Sequence, residues 1–180
     1  MNILKLLLVF TSFLLIGKVQ GQNKSDSTGV NYESQVVNVA GNFNLNITAQ
    51  PDKLTSFPLS ICKLSYLNVI NLVSHNITSI PPEIADIKEL VVLNMPNNKL
   101  TSLPKEIGQL TKLRNLNLSK NQLTTLPEEL GNCKNLKTLN VSENNISQSE
   151  IDKIQKLLPN CIITIKSKMA KEEVIRQSSY

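Results

Sequence analysis

The chain repeats itself every 23 residues. Phe57-Pro58, Ile80-Pro81, Leu103-Pro104 and Leu126-Pro127 keep that step, and so do Leu54, Ile77, Leu100, Leu123 and Ile146. Thr55, Thr78, Thr101 and Thr124 run in the same register, closed by Ser147. Inside one unit, Leu113, Leu116, Leu118, Leu123 and Leu126 are spaced by steps that fit neither a helix nor a strand throughout. The unit therefore reads as a short strand, a turn and an outer segment. A unit this small buries its apolar face only against the next copy, so the repeat dictates a stack of layers.

Each position has a physical reason. Alternate side chains of a strand point to opposite faces, so Leu116 and Leu118 enter the core while Asn115, Asn117 and Ser119 face out. Asn121 carries two donors and an acceptor on a short side chain, enough to satisfy turn backbone in its own coil and the neighbouring one. Leu123 and Leu126 return to the core, and Pro127 starts the outer segment, pre-set for a first helical position. Glu83, Glu106 and Glu129 then fall in a first turn, where the helix dipole favours negative charge. These carboxylates are stacked rather than convergent, so no metal site is expected from them.

The pattern L-x-x-L-x-L-x-x-N-x-L is carried by Leu113, Leu116, Leu118, Asn121 and Leu123, again by Leu90, Leu93, Met95, Asn98 and Leu100, and again by Leu136, Leu139, Val141, Asn144 and Ile146. It resembles the leucine-rich repeat family, and the 23-residue length with its L-P-x-E-I/L ending is similar to the bacterial and Ras-binding-type repeats. The resemblance covers about residues 45–166. It implies an α/β solenoid, a short curved horseshoe with a parallel sheet on the concave face and short helical or irregular segments outside.

The two ends of such a stack must differ from its middle. Residues 45–58 read as a degenerate first layer with Ile47, Ala49, Asp52 and Leu54 in the key positions. At the other end Ser147 and Glu150 have capping-box spacing, and Ile151, Ile154 and Leu158 form one apolar stripe, which predicts a true helix. A last strand over residues 162–166 follows, with Ile163 the counterpart of Leu139. Residues 22–44 read as linker and N-terminal cap, with residues 35–39 a candidate cap strand, and residues 167–180 as a tail.

Residues 1–21 read as a signal peptide: Lys5 precedes an apolar run over residues 6–16, and Val19 and Gly21 are small residues placed for cleavage after Gly21. The run is shorter than the roughly 20 residues a membrane-spanning helix needs. The expected location is therefore secreted, periplasmic or at the cell surface, with no transmembrane helix in the mature chain. Cleavage removes Lys5 and Lys18 and no acid, lowering the formal charge of +5 by two. That mild charge, without an aromatic-rich basic stripe, argues against nucleic acid.

Chemistry is sparse. His75 is the sole histidine and stands where Asn98, Asn121 and Asn144 stand later, so it reads as an imidazole replacing the turn asparagine. With no partner for it, no nucleophile motif, no phosphate loop and no zinc spacing, neither catalysis nor a cofactor is expected. Cys62, Cys133 and Cys161 cannot all pair and show no C-x-x-C spacing, so they read as small buried hydrophobes.

The free positions lie around each inward pair on the concave sheet, Asn115 and Thr138 among them. The expected partner-binding residues are Val69, Asn71, Val73, Val91, Val92, Asn94, Arg114, Asn117, Lys120, Lys137 and Asn140. Val69, Val73, Val91 and Val92 put apolar surface on a wet face, Arg114, Lys120 and Lys137 read as a basic region beside it, and Asn71, Asn94, Asn117 and Asn140 read as a polar row. An apolar centre with a charged flank suits a protein or peptide ligand bound by a monomer. The alternative is a surface polysaccharide bound by an adhesive or structural protein, which the absence of Phe and Tyr from these positions disfavours.

Overall fold

The computed structural model describes residues 32–48 and 53–165. The expected signal peptide and the tail lie outside the described residues, as do Ala49 and Asp52. Seven strands form one sheet in chain order. β1 (Val36–Val39) pairs antiparallel with β2 (Asn42–Thr48). The rest are parallel: β3 (Val69–Val73), β4 (Val92–Asn94), β5 (Asn115–Asn117), β6 (Thr138–Asn140) and β7 (Ile162–Thr164). The cap strand thus forms one residue shorter than read, with Gln35 in a 3-10 turn before it, and is closed by a two-residue turn in which Ala40 and Gly41 have φ of 52° and 84°. Two left-handed residues give a turn whose twist matches the flanking strands.

The core is aliphatic, a column of Leu and Ile from each layer. Leu45, Ile70, Leu93, Leu116 and Leu139 stack in register across β2 to β6, all but excluded from solvent. The first layer departs from the 23-residue step. Leu45 pairs with Ile70 and Ile47 with Leu72, a shift of 25. The two inward strand positions are therefore Leu45 and Ile47, correcting the expectation of Ile47 and Ala49; Leu54 keeps the 23-residue offset to Ile77, so the two extra residues fall between.

The turn after each strand is held as expected. Asn121 Oδ1 accepts from the Leu100 amide at 2.9 Å, and Nδ2 donates to the carbonyls of Met95 at 3.1 Å and Leu118 at 2.9 Å. Asn98 and Asn144 repeat the arrangement. His75 completes it: Nδ1 accepts from the Leu54 amide at 3.2 Å and Nε2 faces the Ile47 carbonyl at 3.1 Å. The amide donor at Nδ1 assigns the ring hydrogen to Nε2. One residue before each of these four side chains the backbone is left-handed, at Ser74, Asn97, Lys120 and Glu143.

Outside, a four-residue helix α1 (Leu59–Cys62) is followed in later layers by 3-10 turns over Pro82–Asp86, Lys105–Gln109 and Glu128–Asn132. Pro81, Pro104 and Pro127 stand at the cap with extended backbone, one place before the expected first helical position. Their carbonyls accept from Ile84, Ile107 and Leu130 at 3.0–3.1 Å, so each proline closes the turn it precedes. Glu83, Glu106 and Glu129 lie in the first turns, as read. Cys62, Ala85, Gly108 and Gly131 share one register, and side chains shrink along it. A Cβ on Gly108 would sit 2.2 Å from the Glu129 carbonyl oxygen, and one on Gly131 would sit 2.8 Å from Leu157 Cβ.

The last layer ends in α2 (Gln148–Leu157), buried through Ile151 and Ile154. Ser147 Oγ accepts from the Glu150 amide at 3.3 Å. The reciprocal half of the capping box is replaced: Glu150 Oε1 reaches the Leu126 amide of the previous layer at 3.3 Å. β7 is shorter than read, but Ile163 does pair with Leu139. All three cysteines are free and buried. Burial, with Glu83 and Asp86 nearby, pushes the Cys62 thiol up to about 12, and burial pushes Cys133 up to about 11. No helix among the described residues is long and apolar enough to cross a membrane.

Candidate functional site

The concave face is built from rows of side chains, one residue per strand. Because Leu45, Ile70, Leu93, Leu116 and Leu139 point inward, their strand neighbours point out. One outward row runs through Val37, Asn44, Val69, Val92, Asn115, Thr138 and Ile162. The next runs through Asn46, Asn71, Asn94, Asn117, Asn140 and Thr164. The first changes character along the stack, apolar at Val69 and Val92 and polar at Asn115 and Thr138, whose hydroxyl donates to Asn115 Oδ1 at 3.1 Å.

The second row is the expected polar row, longer by one residue at each end. Asn71 donates to Asn46 Oδ1, and Asn117 Nδ2 donates to Asn94 Oδ1 at 2.9 Å. Asn117 Oδ1 also accepts from the Ser119 amide at 3.1 Å, as Asn140 Oδ1 does from the Ser142 amide. These bonds fix the carboxamides in place, leaving the Asn94 and Asn140 Nδ2 groups with no described acceptor.

A depression of about 430 Å³ lies over β3 to β7. Asn71, Val92, Asn94, Asn117 and Asn140 of the expected set line it, joined by Asn115, Thr138 and Thr164. None of these side chains is charged.

The other expected residues lie around it. Val91, Arg114 and Lys137 form a row at the edge where the strands begin, linked by backbone hydrogen bonds of 2.8 Å from Arg114 to Val91 and from Lys137 to Arg114. Val69 is half-buried in β3, and Val73 is exposed at the end of that strand. Lys120 stands apart from the other two cations. It occupies the left-handed turn beyond β5, six residues past Arg114 and about 20 Å along the extended chain, and pairs with Glu143 at 3.8 Å. The basic region thus divides into an Arg114–Lys137 pair on one edge and Lys120, facing Glu143, on the other.

Asn46, Thr164 and Val37 escaped the sequence reading. The first was hidden by the shifted first layer, the second by the longer last one. Val37, more than half exposed, precedes the repeats and carries no periodic signal.

A family profile described as leucine-rich repeat region matches residues 45–171. Among solved structures, a leucine-rich repeat protein of Leptospira interrogans is 39% identical, over 67% of this chain and 36% of that one, with a TM-score of 0.57. The leucine-rich repeat ectodomain of the receptor kinase SOBIR1 from Arabidopsis thaliana is 25% identical over 69% of each chain, with a TM-score of 0.55. The plant peptide hormone receptor RGFR1, solved in complex with RGF2, is 31% identical over 61% of this chain and 18% of that one, with a TM-score of 0.52. No curated protein matches the sequence. The chain spans about a third of the Leptospira protein it matches. The profile match, the 23-residue layers and the asparagine-braced turns together make this chain a member of the leucine-rich repeat family.

Proposed function

We propose that the chain is exported after cleavage following Gly21 and acts outside the cytoplasm as a non-catalytic module that binds protein or peptide through its concave face. The observation that carries this is the outward row in which Val69 and Val92 adjoin an uncharged depression. Apolar side chains gathered on a face otherwise open to water support recognition of a partner. The likeness to a receptor solved with RGF2 supports a peptide among the partners. The wall of carboxamides and hydroxyls gives a polysaccharide some standing as a second reading.

The test is capture from secreted and cell-surface material by residues 22–180. Val69 and Val92 are neighbours in register, so aspartates at both would repel one another. Single Val69→Asp and Val92→Asp variants are therefore the controls. Each is expected to abolish capture while changing stability by about 1 kcal/mol, the span of strand propensities. Undiminished capture by both would remove the concave face from the function.

A further inference from the structure

The charges around the depression are unevenly compensated. Lys120 is answered by Glu143. Glu89, an acid near the opposite edge, is taken up by Lys112 at 2.6 Å. Arg114 and Lys137 are exposed, stand in adjacent layers, and form no ion pair with a described residue. They immediately precede Asn115 and Thr138, which line the depression. Neighbouring strands are about 4.8 Å apart, a spacing at which one carboxylate, with two oxygens, can accept from both cations.

We infer that the concave face takes an extended, otherwise uncharged peptide laid across the strands, with one peptide carboxylate held between Arg114 and Lys137. The inference rests on the concave-face reading and gives the ligand a direction. Its apolar residues lie over Val69 and Val92, its polar residues over Asn94, Asn117 and Asn140, and its acid at the edge of β5 and β6. An uncharged wall penalises any charge the ligand carries elsewhere, because a buried charge needs a partner.

The experiment equilibrates residues 22–180, unchanged or as Arg114→Gln/Lys137→Gln, with a degenerate octapeptide library in free-acid and amidated forms. Retained peptides are sequenced and their affinities measured at low and high salt. The expected result is enrichment of Asp or Glu, or of free-acid peptides if the terminal carboxylate is the one held. The double variant should bind these peptides roughly tenfold more weakly and lose most of the salt dependence, with its melting temperature unchanged. Retained peptides without acidic or free-acid preference, or with the same preference in the double variant, would overturn the inference. The concave reading would still stand if Val92→Asp abolished that binding. Retention of no peptide overturns the inference, whether or not polygalacturonate is retained in its place, while the concave reading falls only if capture from secreted and cell-surface material is undiminished in Val69→Asp and Val92→Asp.

Discussion

Asn121 is buried among the carbonyls and amides of two layers and, like Asn98 and Asn144 in their own turns, holds one backbone amide and the carbonyls around it. Removing it strands at least one buried donor and one buried acceptor, at about 1–3 kcal/mol each. Asn121→Ala is expected to lower the unfolding free energy by about 3 kcal/mol in a urea titration. His75 reaches the equivalent amide and carbonyl with a larger ring, so His75→Asn is expected to stay within about 1 kcal/mol of the native chain. His75→Ala should cost about 2 kcal/mol, and the same titration separates the two outcomes. The equivalence of His75 and Asn121 was legible in the sequence because it needs only a register position and a donor–acceptor pair. The isolation of Lys120 was not. Ser74, Asn97, Lys120 and Glu143 share one periodic position yet no chemistry, since what they share is a left-handed backbone.

The outer turns show what an element demands of its neighbour. Gly108 lies so close under the Glu129 carbonyl that any side chain must push the next turn outward. Gly108→Ala is expected to destabilise by about 1–3 kcal/mol, the usual cost of overpacking, in thermal unfolding. Ala85, one layer back, already carries a methyl group in the same register. The strands were read correctly where Leu116-x-Leu118 and its copies kept step. They were misread in the first layer, where β2 takes a 25-residue offset to β3. A fixed step reports layers that copy one another; at an end, burial of Leu45 decides, and the step no longer does.

At the scale of the whole stack, Cys62 and Cys133 tie stability to alkaline pH. Their thiols ionise near 9.0 when solvated but only near 12 and 11 when folded. The folded state therefore holds protons that the unfolded state releases, and stability must fall as pH rises through 9 towards 12. Below about pH 8 both states are protonated and this contribution is complete. Cys62→Ala and Cys133→Ala should each give a shallower decline of stability between pH 9 and 11 than the native chain, measured by urea unfolding across that range. The passage of the first outward row from Val92 to Asn115 was legible from the 23-residue step that separates them. β4 and β5 pair in that same register, whereas the placement of Asn46 and Val37 in the rows comes from β1 and β2, which lie outside the step.

The middle layers are interchangeable in a way the ends are not. β1 closes one edge by an antiparallel hairpin, and α2 covers the core of the last complete layer, so neither depends on how many layers lie between. Each added copy lengthens the concave face by one strand spacing, about 4.8 Å, which an extended peptide crosses in about one and a half residues. On the proposed reading of the concave face, the number of repeats acts as a ruler. It would set the length of ligand that can be measured, while the side chains facing out of each layer would set what is read at each graduation.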